Sequence, residues 1–298
     1  MHDQARRLDA RPLDVQRLGP QAVRRELGRV GIEARHRLSQ NFLADAEVLE
    51  TIVREADAAP RRRIVEVGPG LGILTGELLA VGATVTAIEL DTRLAAYLRE
   101  RFRAALHEES GTSGSLRLIE ADVLDLDPAD FVAEPYEVVA NLPYHITSPV
   151  LHQFLGAGVR PERMVLMVQL EVADRLSAPA GEMSYLSVFV QYHASVRVAR
   201  EVPASAFEPA PEVASAVVVL ETRPRSLARD DEEWLWRVVQ AGFRERRKMI
   251  HNVLPRQLPG LTPERLAAAL ARLGIDAMRR PQTLSVDEWL ALAAQLRE

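Results

Sequence analysis

The chain has 298 residues, 47% of them apolar, no cysteine and a formal net charge of −5, which leaves room for two domains with real cores. The missing cysteine excludes disulfides, thiolate nucleophiles and cysteine metal sites together. No stretch approaches the roughly 18 uncharged apolar residues of a membrane span, so no membrane partner is expected.

The first 35 residues form an extension to which no role is assigned. They lack the apolar core of a secretory signal, and Asp3, Asp9 and Asp14 argue against a mitochondrial presequence; a cytoplasmic location is expected. Acidic net charge argues mildly against nucleic acid, but its distribution matters more. Residues 1–37 hold nine arginines against five acids, and "FRERRKMIHNVLPR" (243–256) is locally basic.

From about 60 to 221, short β-branched runs alternate with helical patterns. The expected strands are "IVEV" (64–67), "TVTAIEL" (84–90), "LRLIEA" (116–121), "YEVVAN" (136–141) and "RMVLMVQ" (163–169). These five are nearly continuous apolar runs, as parallel strands covered on both faces require. A helix is expected over 91–106 and a flexible loop over 107–115. "ASVRVA" (194–199) and "SAVVVLE" (215–221) are joined by a proline-rich loop, so they read as an antiparallel pair at one sheet edge. Beyond 223 the chain is helical, with Thr262 and Ser285 as N-caps, Pro263 in a first turn and Gly274 as a stop. The expected fold class is therefore α/β: a Rossmann-like sheet with antiparallel edge strands over 36–223, then a small all-α domain over 224–298.

"IVEVGPGLGILTGELL" (64–79) is a strand, a glycine-rich turn and a helix, and Gly68 and Gly70 let backbone approach a ligand at a helix N-terminus. The dinucleotide fingerprint needs glycine at 73, where Ile73 stands, and no Gly-Lys-Ser/Thr follows for a P-loop. What remains is E-x-G-x-G-x-G, the pattern of S-adenosylmethionine-dependent methyltransferases. Glu89, 21 residues after Gly68, ends the second strand, where a carboxylate can accept from both ribose hydroxyls. Asp122 ends the third, where it can accept from an adenine amine.

"NLPY" (Asn141, Leu142, Pro143, Tyr144) ends the fourth strand and faces the same crevice. An aromatic amine is a poor nucleophile because its lone pair is delocalised. The Asn141 amide oxygen and a main-chain carbonyl within 141–143 could each accept from that amine and draw it toward a tetrahedral shape. Tyr144 would stack on the base, so that orientation and placed dipoles supply the rate.

With "RLSQNFLAD" (37–45), "VEVGPGLG", "IELD", "NLPYHITSP", "VQLEVADRL" (168–176), "VPASAFEPAPEVASAVV" (202–218) and "FRERRKMIHNVL" (243–254), the chain resembles the KsgA/RsmA-type ribosomal RNA adenine N6,N6-dimethyltransferases over nearly its whole length. The resemblance implies dimethylation of adenines, two of them adjacent, in a loop of 16S RNA in an immature 30S particle. It also implies that Asn41 and Leu43 close over the cofactor and that Phe207 sandwiches the target adenine with Tyr144. His145 departs from the asparagine usual after the tyrosine.

Arg244, Lys248 and His251 fall at i, i+4 and i+7 of an expected continuous helix over 234–254, with Arg247 between them, and the resemblance turns this stripe toward RNA phosphates. No metal site is expected, since the seven histidines show no ligand spacing; a monomer is expected. Two alternatives stay open. One is a large-subunit RNA methyltransferase of the resistance type, and the other is a non-catalytic RNA-binding assembly or transcription factor on the same scaffold. A DNA adenine methyltransferase fits poorly, because Leu142 stands where its motif has proline.

Overall fold

The structure, a computed structural model, describes residues 18–32, 40–106, 114–245 and 247–297. Helix α1 (Pro20–Val30) starts on proline, whose fixed φ suits a first turn, and stops at Gly31 in the left-handed conformation (φ 65°). A two-residue strand β1 (Phe42–Leu43) and helix α2 (Ala46–Glu55), capped by the Asp45 carboxylate on Val48 N, follow.

The sheet then alternates strand and helix. Its elements are β2 (Arg63–Val67), α3 (Ile73–Ala80), β3 (Thr84–Glu89), α4 (Thr92–Arg101), β4 (Ser115–Glu120), α5 (Pro128–Phe131), β5 (Glu137–Asn141), α6 (Thr147–Gly156) and β6 (Arg163–Gln169). Helices α7 (Leu170–Ser177) and α8 (Tyr185–His193) lead to β7 (Ala194–Val202), β8 (Phe207–Glu208) and β9 (Ser215–Thr222). Seven strands lie in the order β4-β3-β2-β5-β6-β9-β7, and β8 pairs with β1 as a separate ribbon. Strands β2 to β6 are parallel, with Val65 opposite both Thr86 and Val138. The expected edge pair is β9 and β7, which make the sheet mixed.

The chain builds outward from β2 to β4, returns to β5, and continues the other way. The order therefore reverses between β2 and β5, and in open α/β sheets a ligand crevice opens beyond the carboxyl ends of the strands at such a point. Val138, Val139 and Ala140 of β5 are fully buried, as a strand covered on both faces must be. At the amino-terminal end, Arg62 pairs with Asp57, Glu137 and Glu162, so the arginine run 61–63 is a surface feature far along the strands from the crevice.

Contacts divide the chain into two compact units, the described residues of 1–170 with 198–219, and 171–197 with 220–297. Three expectations change. Of the expected extension over 1–35, residues 18–32 are described and belong to the sheet unit, with Val23, Leu27 and Ile32 buried in its core; the rest lies outside the described residues. The helical unit is larger than 224–298: Met183, Val188 and Tyr192 share a core with Leu235, Leu266 and Trp289. The helix expected over 234–254 is two helices, α9 (Arg229–Phe243) and α10 (Ile250–Gln257). Like charges crowd the sequence at 244–248, and the Ile250 amide is taken by the Arg279 carbonyl at 2.8 Å, which starts a new helix there. Helices α11 (Pro263–Arg272) and α12 (Val286–Arg297) complete the unit, with Thr262 capping Arg265 N and Ser285 forming a reciprocal cap with Glu288. Trp234 and Trp236 pack within it, Trp234 donating to the Ala293 carbonyl. Among the described residues no helix is long and apolar enough to cross a membrane.

Candidate active site

The crevice lies where the topology puts it, with about 1210 Å³ of free volume continuous with solvent. Gly68, Gly70, Glu89, Asp122, Asn141, Pro143 and Tyr144 all line it, as do Asn41 and Leu43. Four consecutive strand ends in the sheet, β4, β3, β2 and β5, deliver Asp122, Glu89, the glycine turn and Asn141.

The glycine turn packs too tightly for side chains. A Cβ on Gly72 (φ 70°) would sit 2.5 Å from Phe102 and 2.7 Å from Leu98, both contributed by the end of α4, and one on Gly70 (φ 57°) would crowd Phe42 at 3.1 Å. Glu89 holds this turn: its Oε2 accepts from Gly70 N at 3.1 Å and its Oε1 from Asp91 N at 2.8 Å. Burial raises the Glu89 carboxyl above its ordinary value, against those backbone bonds. Asp91, by contrast, is held down to about 2 by its bonds to the Arg93 side chain. Asp122 caps the turn after β4 by accepting from Leu124 N at 2.9 Å.

At the end of β5, Asn141 Nδ2 donates to the Asn41 carbonyl at 2.9 Å. A carbonyl only accepts, so the bond fixes the amide with its nitrogen toward Asn41 and Oδ1 turned the other way. The Leu142 side chain is buried and its amide donates to the Met167 carbonyl, which seats the Asn-Leu-Pro-Tyr backbone against β6. Pro143 O accepts from Ile146 N at 3.1 Å. The Tyr144 hydroxyl is hydrogen-bonded to Ser215 Oγ at 2.8 Å, and burial raises its pKa.

Phe207 is not brought to the crevice. Its ring is 2% exposed and packs in the core of the sheet unit. The reason is the short β1–β8 pairing, in which Phe207 lies opposite Leu43 and Glu208 opposite Phe42. Two-residue strands carry no periodicity to read, so sequence reasoning saw only a proline-rich loop there. Ser215 was missed as well, because nothing marks a serine at the head of an apolar strand as a tether for a tyrosine.

Glu66 is a further missed crevice residue. It is fully buried, accepts from the Thr75 hydroxyl at 2.6 Å, and burial pushes its carboxyl up to about 8. Sequence showed it only as the first letter of the glycine motif. With Glu66 keeping its proton at neutral pH, Glu89 and Asp122 are the acids that give the crevice its character, and among the described residues no lysine or arginine lines it. A pyrophosphate would find no cation there, whereas a sulfonium carrying an ammonium group meets complementary charge.

In the helical unit, Arg244, Arg247 and Lys248 meet Arg280 and Gln282 around a basic cavity open to solvent. They do so from the turn between α9 and α10, so the expected helical stripe does not form. Arg244 donates to Gln257 Oε1 at 2.9 Å. His251 stands apart from the set: its Nδ1 is bonded to the Ala277 carbonyl at 2.7 Å.

The family model described as "Ribosomal RNA adenine dimethylase" matches residues 31–298. The chain belongs to the ribosomal RNA adenine dimethylase family. Relatives named "Ribosomal RNA small subunit methyltransferase A" include those of Thermosynechococcus vestitus (42% identical, over 90% of this chain and 98% of the relative) and Geobacter metallireducens (43%, over 88% and 95%). That of Dehalococcoides mccartyi is 40% identical over 88% of each chain. Among solved structures, the 23S rRNA methyltransferase ErmE superposes with a TM-score of 0.68 at 29% identity, covering 87% of this chain and all of that one. A dimethyladenosine transferase from Plasmodium falciparum gives 0.69 at 25%, covering 84% and 95%. As a member of this dimethylase family the chain is an S-adenosylmethionine-dependent methyltransferase, and the acidic, glycine-walled crevice fits that cofactor.

Proposed function

We propose that this protein dimethylates the N6 amines of adenines in a single-stranded loop of small-subunit ribosomal RNA, two of them adjacent, within an immature particle. The observation that carries the reading is the fixed Asn141 amide at the crevice, with Oδ1 turned away from its Asn41 anchor. Identity favours the small-subunit target over the large: 40–43% to the small-subunit enzymes against 29% to ErmE.

Gly68, Gly70, Asn41 and Leu43 would hold the cofactor, with Glu89 on its ribose and Asp122 on its adenine amine. Bound there, S-adenosylmethionine supplies a sulfonium methyl group as electrophile. Asn141 Oδ1 accepts one hydrogen bond from the target amine. Because the Pro143 carbonyl is engaged by Ile146 N, we assign the second acceptor to the Leu142 carbonyl. The two acceptors localise the nitrogen lone pair by placed dipoles. Tyr144, braced at its hydroxyl by Ser215, offers a ring face on which an unstacked adenine rests. With Phe207 in the core, a second aromatic face is left out of this scheme. Arg244, Arg247, Lys248 and Arg280 supply charge for RNA phosphates in the helical unit.

The test is to incubate the protein and cofactor with purified immature small and large subunits side by side and read the RNA by mass spectrometry. Two dimethylated adenines in the small-subunit RNA alone are expected. Methylation confined to the large subunit would move the target, and no methylation with no cofactor binding would favour a non-catalytic binding factor.

A further inference from the structure

Helix α1 (Pro20–Val30) ends before residue 31, where the match to the family model begins, yet it is fastened to both sides of the crevice. On one side Arg24 Nε and Nη2 donate to Glu208 Oε1 and Oε2 at 3.0 and 2.8 Å, a two-pronged guanidinium–carboxylate pair with fixed geometry. On the other side Glu26 accepts from the Tyr97 hydroxyl of α4 at 2.6 Å, and Arg29 braces the same carboxylate with bonds of 2.6 and 3.0 Å. Arg101, one turn further along α4, reaches the Tyr97 hydroxyl at 3.4 Å and donates to the Leu71 carbonyl in the glycine turn.

The first of these attachments leads to the reacting end of the crevice. Glu208 pairs in register with Phe42, and the residue before Phe42 is Asn41, whose carbonyl orients the Asn141 amide. Phe42, Leu43 and Phe207 seat the ribbon in the core, but it is only two residues long on each side, supplemented by Ala44 N donating to the Ala206 carbonyl, so few hydrogen bonds of its own fix its exact register. We propose that α1 is a clamp on the β1–β8 ribbon, and that Arg24, acting through Glu208, is a positioning residue that keeps the Asn141 amide oxygen directed at the target amine. If β1 drifts, Asn141 loses its anchor, and a rotated amide presents a donor where the amine needs an acceptor. The proposal rests on the role given above to Asn141. The Arg24 side chain is 71% exposed, so its loss removes the latch without opening the core.

The experiment uses the full-length chain and compares single-turnover methylation at saturating cofactor, cofactor affinity by calorimetry, and melting temperature. The variants are Arg24→Ala, Glu208→Ala, the charge-swapped double Arg24→Glu with Glu208→Arg, Asn141→Ala, and Arg24→Ala combined with Asn141→Ala. Each latch variant is expected to slow methyl transfer roughly two- to fivefold, the upper part of the range of a well-formed exposed pair, with its melting temperature nearly unchanged. The swap restores the rate, and Arg24→Ala has no further effect once Asn141 is alanine. A wild-type rate in Arg24→Ala while Asn141→Ala is slow overturns the clamp alone. So does an Arg24→Ala loss of the same size in the Asn141→Ala background. A wild-type rate in Asn141→Ala overturns the role of Asn141 and the clamp with it.

Discussion

In the proposed function the hydroxyl and the ring of Tyr144 do different things, and substitution separates them. Tyr144→Phe removes only the Ser215 bond, a loss of about 0.5–1.5 kcal/mol, and should leave RNA affinity within about tenfold. Tyr144→Ala removes the stacking face, worth about 1–3 kcal/mol per base, and should raise KM for RNA much more while cofactor affinity by calorimetry holds. Glu66 gives a prediction of another kind. Its folded-state value of about 8 lies above the ordinary 4.5, so between those pH values the folded chain keeps a proton that the unfolded chain has released. Its contribution to stability is complete below about pH 4.5 and is lost as pH rises toward 8, at up to about 1.4 kcal/mol per pH unit. Glu137, raised to about 7 by burial, adds in the same direction. Glu66→Gln, which stays neutral, should therefore flatten the fall in melting temperature between about pH 5 and 8, and an unchanged slope would show that Glu66 ionises freely in the fold.

Among the elements, the glycine turn and the turn between α9 and α10 make separable demands. Gly72→Ala forces a Cβ against Phe102 and Leu98 in a left-handed conformation. Overpacking of this kind costs about 1–3 kcal/mol, with about 1–2 more for the backbone, so a drop in melting temperature together with weaker cofactor binding is expected. Reversing Arg244, Arg247 and Lys248 to Glu acts on the other unit. It should weaken RNA binding, reduce the log-log salt slope by about 0.7–0.9 for each phosphate no longer neutralised, and spare binding of free cofactor. Equal weakening of both would make the turn a structural element. Here the helical periodicity of Arg244, Lys248 and His251 misled, since a repeat of four holds only if the helix is unbroken. The three basic residues of the turn still converge, but through a cavity that also takes in Arg280, more than thirty residues away.

Across the whole molecule, the parts legible in the sequence are those that repeat or that pattern against solvent. The five parallel strands announce themselves as runs such as "RMVLMVQ", and the acids at their carboxyl ends can be placed once the strand order is known. The caps at Thr262 and Ser285 are local chemistry and were equally readable. What could not be read depends on partners distant in sequence. The burial of Phe207 follows from pairing with Leu43, the burial of Val23 from the core it joins, and the membership of Met183 and Tyr192 in the helical unit from packing against α9 to α12. None of these leaves a period or a motif in its own segment. The site residues split along the same line: Asn141 stood out as a strand-end amide, while its orientation depends on the carbonyl of Asn41, one hundred residues earlier.

The proposed function turns on that orientation, and one measurement reaches it directly: the single-turnover rate of methyl transfer by Asn141→Ala at saturating cofactor, with cofactor occupancy measured on the same sample. Loss of one placed hydrogen-bonding group of this kind costs about 100- to 1000-fold, and a fall of that size at full occupancy is expected. An undiminished rate at full occupancy would contradict it.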